Sequence, residues 1–243
     1  NVTEVCLKHR SDGSFMLLSK LCFNHKACML SIKDKLLDWA SGVLADPKSE
    51  NHLTLAAFYI CTQLFEELHK VLTTDPIEQD DSNAIAEVCP SLGELPALVQ
   101  KIEANAMKSL LANTKNPEII YNAFNFLTFC LPYAKEQLIQ QKAIQAASVM
   151  LSVQNDNIKV AATILEFLYK ACEVLGADEV KKVKPVLPTA MKALNTHTTN
   201  PLVVEYGAAL AVYLDRPKKE SLLDAALEVF PKSELLLQMK QKL

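Results

Sequence analysis

Glycine is scarce in this chain: five of its 243 residues are glycine, and no phosphate-binding glycine motif occurs. β-rich folds use glycine in their turns, and phosphate-binding loops use it for close backbone approach, so the scarcity argues against both. An excess of basic residues is also missing, because the formal charge is −3. Nucleic acid and anionic lipid are recognised by basic surfaces, and the sequence therefore predicts neither nucleic acid nor a membrane as a partner.

Long apolar runs are missing too. No stretch of 18 uncharged apolar residues occurs and no signal-peptide pattern opens the chain, which predicts a soluble protein. The seven cysteines are scattered among apolar positions. This predicts buried, reduced thiols and a cytoplasmic location, with the nucleus as the alternative. The chain starts at Asn1 and not at Met, so we interpret it as an excerpt that flanking domains could extend.

Motifs for catalysis and metal binding are absent from the sequence. The five histidines have no Ser, Cys or carboxylate neighbours at the spacing of a triad or of a helical zinc site. Cys22, His25 and Cys28 offer three soft ligands, but a structural zinc site needs four and no second cluster supplies the fourth. The sequence therefore predicts no enzymatic activity, no metal and no cofactor.

What the chain does contain is a repeated helical pattern. Residues 116–131 have the features of a helix with an Asn N-cap and a Pro at the first helical position. Similar segments follow from Asn155 and Asn200, and the segment from Glu50 fits the same frame without an Asn cap. In this alignment the equivalent positions are Ile119, Ile158 and Val203, then Ala123, Ala162 and Gly207. Equivalent helices about 40 residues apart are typical of a helical solenoid.

The pattern also predicts where the elements lie. Long helices are predicted at 50–72, 117–131, 156–175 and 201–214, short helices lie between them, and two end helices cover 219–230 and 232–243. Residues 73–94 interrupt the rhythm with many acidic residues, two prolines and no Lys or Arg. We interpret this segment as an exposed acidic insertion, in which Glu78, Asp80 and Asp81 form a candidate contact loop for a basic partner.

The repeated unit resembles the armadillo repeat. It combines a short helix, a helix that begins with Leu-Pro, and an Asn-Pro-x-Ile long helix with a small central residue. The resemblance covers roughly residues 30–230, and the unit is also similar to the related HEAT repeat. It implies an all-α, right-handed solenoid of about four armadillo-like repeats with end helices, in a single domain over residues 1–243. It further implies that the third helix of each repeat lines a concave groove for extended peptide segments.

The resemblance also indicates which positions face the groove. In the nuclear-import adaptors of this family, the third helix has a Trp and, four residues later, an Asn. The residues at these two positions here are Tyr59 and Gln63, Asn125 and Phe129, Ile164 and Leu168, and Ala209 and Tyr213. None of the pairs keeps Trp with Asn, so binding of nuclear signals is not predicted. About one helical turn before the first residue of each pair lie Ala56, Asn122, Ala161 and Tyr206.

The predicted partner-binding groove is a set of amide and aromatic side chains. Its members are Tyr59, Gln63, Asn122, Asn125, Phe129, Tyr206 and Tyr213. Amides can pair with the backbone of an extended ligand, and aromatic rings give a large contact area at low entropic cost. The sequence thus predicts a non-catalytic scaffold or adaptor that binds a protein or peptide segment, although packing between repeats would equally explain each of these residues.

A structural, oligomerising or regulatory module of a larger protein, for example one that restrains a neighbouring catalytic domain, is the alternative function. Self-association stays open because the end helices contain many leucines. They are Leu222, Leu223, Leu227, Leu235, Leu236 and Leu237.

Overall fold

The computed structural model describes residues 30, 32–73, 95–140, 142–176, 180–214 and 217–243. These ranges contain ten α-helices with defined bounds and one 3₁₀ turn, and they contain no β-strand. The all-α prediction is confirmed. The chain divides into two compact units, Asn1–Asn113 and Thr114–Leu243. A single domain and an armadillo-like solenoid stay predictions.

The first unit contains three helices, α1 (Lys33–Ala45), α2 (Asn51–Thr73) and α3 (Leu95–Ala112), and α1 packs against both of the others. Side chains of α3 reach α1 at successive turns. Lys101 Nζ contacts Asp38 Oδ1 at 2.5 Å, Asn105 Nδ2 donates to Ser41 Oγ at 2.8 Å, and Lys108 Nζ donates to the Ala45 carbonyl at 2.7 Å. The sequence separation stays at 63 or 64 residues, so α1 and α3 run parallel.

The second unit contains the remaining elements. They are α4 (Pro117–Gln140), α5 (Ala143–Val153), α6 (Ile158–Val174), a 3₁₀ turn (Lys184–Val186), α7 (Leu187–Thr196), α8 (Pro201–Tyr213), α9 (Lys219–Val229) and α10 (Glu234–Gln241). Helix α6 packs against α4 and against α8. The shorter α5 contacts α4, α6 and α7, and α7 contacts α8. The three long helices therefore pack in the order α4, α6, α8, and the shorter α5 and α7 pack against them.

Hydrogen bonds over about 40 residues of sequence show the direction of α6 and α8. Asn155 Nδ2 donates to Thr196 Oγ1 at 3.0 Å just before α6 and α8 begin, over 41 residues of sequence. Farther along, the Tyr206 hydroxyl donates to Glu166 Oε1 at 3.0 Å, over 40 residues. Because the separation hardly changes along the helices, α6 and α8 run parallel and side by side.

Asparagine caps begin the three long helices of this unit. The Oδ1 atoms of Asn116, Asn157 and Asn200 accept the backbone N–H three residues later, at 3.3, 3.2 and 3.1 Å. The caps at Asn116 and Asn200 were predicted, but the sequence alignment placed Asn155 at the third position, and that is wrong. Asn155 lies before the helix and is buried, whereas Ile158, which the alignment matched with the buried Ile119 and Val203, is 45% exposed.

Helix α4 is interrupted near its predicted end. The sequence predicts one helix over 117–131 and another over 133–140. The structure has one helical segment with a non-helical residue at Ala134 (φ −137°, ψ 29°). Pro132 lies two residues earlier and lacks a backbone N–H, which accounts for the break.

The end helices pack most of their leucines against the core of the second unit. Helices α9 and α10 pack against α8 and against each other. Leu223 and Leu236 are fully buried, and Leu222, Leu227 and Leu235 pack against the same core cluster. Leu237 remains 43% exposed. Packing on α8 therefore explains five of the six leucines that suggested self-association.

One sequence prediction falls on another part of the chain. The predicted acidic contact loop, with Glu78, Asp80 and Asp81, lies outside the described residues. Within the described ranges, no helix is both long enough and apolar enough to cross a membrane.

Candidate functional site

The seven predicted groove residues are divided between the two units. Tyr59 and Gln63 lie on α2 of the first unit, where both are half-buried, and Gln63 Nε2 donates to Glu66 Oε2 at 3.2 Å. The other five lie in the second unit, on α4 and α8. The second unit therefore holds the larger set.

The predicted residues of α4 line one side of that helix. Asn122, Asn125 and Phe129 are all half-buried. Asn122 Nδ2 donates to the Glu118 carbonyl at 2.9 Å, so its own helix uses that donor. The Phe129 ring lies 5.7 Å from the Tyr133 ring. Asn125 makes no hydrogen bond to another described residue, which leaves its amide available to a ligand.

The cap at Asn157 changes which α6 residues correspond to these positions. Asn125 and Phe129 lie nine and thirteen residues after their cap, and the residues at the same distances from Asn157 are Glu166 and Lys170. The sequence alignment selected Ile164 and Leu168, and both are fully buried. Glu166 and Lys170 were therefore missed because the alignment used Asn155. Both asparagines are followed three residues later by an apolar residue, Asn155 by Ile158 and Asn157 by Val160, so this local signal does not separate them.

Helix α6 exposes very little of its surface. From Val160 to Cys172 every residue is buried except Glu166, which is half-buried, and Lys170, which is exposed. Helices α4 and α8 cover two sides of α6, and α5 covers a third side. A charged residue on α6 can therefore meet solvent or a ligand only along one narrow line.

Tyrosines of α6 and α8 hold the carboxylates of this line. The Tyr206 hydroxyl donates to Glu166 Oε1 at 3.0 Å, and the Tyr169 hydroxyl donates to Glu173 Oε1 at 2.8 Å. The Tyr169 ring lies 6.0 Å from the Tyr206 ring and 6.3 Å from the Tyr213 ring, edge-on in the second case. We call this set the α6–α8 strip. Its members are Glu166, Tyr169, Lys170 and Glu173 on α6, and Tyr206 and Tyr213 on α8.

The tyrosine hydroxyls of the strip remain donors at neutral pH. Burial raises the pKa of Tyr169, and the hydrogen bond to Glu173 raises it further. Burial followed by the nearby Glu166 raises the pKa of Tyr206. Burial is also the main cause of the raised pKa of Tyr213. Neutral hydroxyls can therefore donate to the two carboxylates and fix their orientation.

The thiols in the described ranges are buried. Cys61, Cys130 and Cys172 form no disulfide, which confirms that part of the cysteine prediction. Burial raises the pKa of Cys172 to about 12, so its thiol is protonated at neutral pH. Among the described residues no group of three His, Cys, Asp or Glu side chains is placed to hold a metal ion. Cys22, His25 and Cys28 lie outside those residues.

The strip is suited to binding. It presents aromatic rings, two oriented carboxylates and one ammonium group on adjacent parallel helices. Tyr213 is 38% exposed, and Tyr206 and Glu166 are half-buried, so a ligand that covers them would remove partly apolar surface from water. Aromatic residues that combine a rigid ring with a polar group are frequent energetic anchors in protein interfaces.

Comparison with protein-family models gives no match, and comparisons with curated protein sequences and with solved structures give no significant match. The armadillo resemblance therefore stays a prediction, and the site is interpreted from its own chemistry.

Proposed function

We propose that this chain is a non-catalytic protein-interaction scaffold that binds a segment of a partner protein along α4, α6 and α8. The α6–α8 strip is the observation that supports it. On an otherwise buried helix, the two side chains that reach the surface between Val160 and Cys172 are charged, and one of them is held by a tyrosine of the next helix. Such an arrangement offers a ligand a pre-formed surface at little cost in side-chain ordering.

The proposal includes an armadillo-like arrangement of the second unit. Three capped long helices follow one another, α6 and α8 run parallel, and the shorter α5 and α7 pack against them. In a solenoid each repeat contacts its neighbours, and the row of long helices forms a continuous binding surface. Asn125 and Phe129 of α4 would extend the strip along that surface. We place such a scaffold in the cytoplasm or nucleus, where buried thiols stay reduced.

Selection from a displayed library of random peptides tests the proposal. The surface variant combines Asn125→Arg on α4 with Tyr213→Arg on α8 and adds two positive charges and two bulky side chains to the predicted binding surface. We expect peptides selected on the wild-type chain to bind this variant at least about tenfold more weakly, which corresponds to the loss of one interface anchor. Fluorescence anisotropy with the labelled peptides measures the dissociation constants.

Ser152→Arg combined with Asn195→Arg is the matched control. Both residues are exposed and lie on the shorter helices α5 and α7, and the change in charge is the same. The control should bind the peptides as the wild type does, and circular dichroism should show equal helix content in all three proteins. Failure to select any peptide, or equal weakening in both variants, would refute binding at this surface. Light scattering on the same samples measures self-association, the alternative function.

A further inference from the structure

The carboxylates of the α6–α8 strip are held by hydroxyl groups of the protein. Glu166 accepts the Tyr206 hydroxyl and Glu173 accepts the Tyr169 hydroxyl, each through Oε1. The Oε2 atom of Glu166 makes no hydrogen bond to another described residue. It therefore keeps its acceptor capacity beside an aromatic ring, which is the environment that attracts an ammonium or guanidinium group.

The strip already contains one bound ammonium group. Lys170 Nζ lies 2.9 Å from Glu173 Oε2 and 5.5 Å from the centroid of the Tyr169 ring. A carboxylate and an aromatic face thus hold a cation within the chain itself. Glu166 and Tyr206 repeat the same chemistry one helical turn away, and no lysine of the described residues occupies that pair.

The balance of charge at the strip is negative. Glu166, Glu173 and Glu205 lie close enough to the Tyr206 hydroxyl to raise its pKa, although burial is the larger cause. Lys170 is the one basic side chain of α6 between Val160 and Cys172. A negative, partly apolar surface favours a cationic ligand over a neutral or acidic one.

We infer that the partner segment is basic, with a lysine or arginine side chain that binds Glu166 Oε2 beside the Tyr206 ring. This inference rests on the proposed function and specifies the chemistry of its partner. Lys170 acts as an internal competitor, because its ammonium group neutralises Glu173 at the same surface. Its contact with Glu173 is partly exposed and joins residues three positions apart, so it is weak and can be displaced.

Four pools of short synthetic peptides test the inference. Each pool has random residues around one fixed central residue, which is arginine, lysine, citrulline or glutamate, and citrulline is the uncharged analogue of arginine. The immobilised full chain should retain the arginine and lysine pools about fivefold more than the citrulline pool. By the affinity relation, this ratio equals about 1 kcal/mol. Retention should decrease as salt concentration rises.

Two variants of the strip and one control make the test specific. Glu166→Gln keeps an acceptor for Tyr206 and removes the charge, so it should abolish the preference for arginine over citrulline. Lys170→Gln removes the competitor and should increase retention of the arginine pool. Glu228→Gln removes an equal charge from an exposed position of α9 and should leave the preference unchanged.

The outcomes separate the inference from the proposed function. Equal retention of the arginine and citrulline pools overturns the inference, and so does an equal loss in the Glu166→Gln and Glu228→Gln proteins. If displayed peptides nevertheless bind at the strip without a basic residue, the proposed function stands and the basic partner does not. Retention of the glutamate pool above the arginine pool also overturns the inference.

Discussion

Asparagines near the start of α6 have different tasks although they lie two residues apart. Asn157 is the N-cap, and its Oδ1 accepts the Val160 N–H at 3.2 Å. Asn155 is 6% exposed, and its side chain donates to Thr196 Oγ1. The carbonyl of Asn155 also accepts His197 Nε2 at 2.5 Å. Asn157 therefore begins α6, and Asn155 joins the segment before α6 to the segment before α8.

Aspartate substitutions distinguish the two tasks. Asp caps helices as well as Asn does, so Asn157→Asp should leave the free energy of unfolding nearly unchanged, whereas Asn157→Ala should lower it by about 1 kcal/mol. Asn155→Asp should lower it by about 1–3 kcal/mol, because a buried carboxylate replaces the donor to Thr196. Urea denaturation at neutral pH measures all three. Equal effects of the two aspartate substitutions would contradict the assignment of the cap.

Among the helices of the second unit, α7 and α8 approach each other closely at Gly207. Gly207 is buried in the middle of α8, and a Cβ atom added there would lie 3.4 Å from Leu194 Cβ and Cδ1 of α7. This is the near limit of van der Waals contact. A small residue at this position therefore determines how closely α7 packs against α8, the helix that also carries Tyr206 and Tyr213.

Substitutions at Gly207 test this packing. Gly207→Ala should change the free energy of unfolding by less than about 1 kcal/mol, since the methyl group reaches contact distance and alanine has the higher helix propensity. Gly207→Leu should lower it by more than about 2 kcal/mol, because the added atoms overlap Leu194. Thermal and urea unfolding compare the two variants. A leucine variant as stable as the alanine variant would contradict the close approach.

The whole molecule consists of two compact units, and each unit has internal contacts of its own. In the second unit the Phe124 ring of α4 lies 5.2 Å from the Phe167 ring of α6, and both side chains are buried. A second cluster joins α6, α7, α8 and the end helices around residues such as Tyr169, Leu194 and Leu223. These contacts lie entirely within residues 114–243, so the second unit has hydrophobic contacts of its own.

The fragment 114–243 should therefore fold alone. We expect a helical circular dichroism spectrum and a single cooperative urea transition, since a continuous buried core favours all-or-none unfolding. Phe167→Ala in the same fragment should lower the free energy of unfolding by about 3–5 kcal/mol through the cavity that it creates. A broad transition without a baseline, unaffected by Phe167→Ala, would show that the fragment has no core of its own.

Local patterns were sufficient for the all-α fold and for most helix positions. Helix periodicity, two of the three Asn caps and the interruption near Pro132 depend on neighbours within a few residues, and these interactions can be identified from the order of the amino acids. The same information placed Asn125, Phe129, Tyr206 and Tyr213 on long helices, where the structure has them. Whether they bind a partner is a prediction that the peptide selection tests.

Tertiary structure alone decided the register of α6 and the composition of the strip. Two asparagines compete for one cap, and local propensity cannot separate them, because the choice depends on whether Ile158 or Val160 enters the core between α4 and α8. Burial of Val160 makes Asn157 the cap and turns Glu166 and Lys170 outward. The pairing of Glu166 with Tyr206 requires two helices to lie side by side over a separation of 40 residues, and such a contact is a property of packing rather than of any local segment.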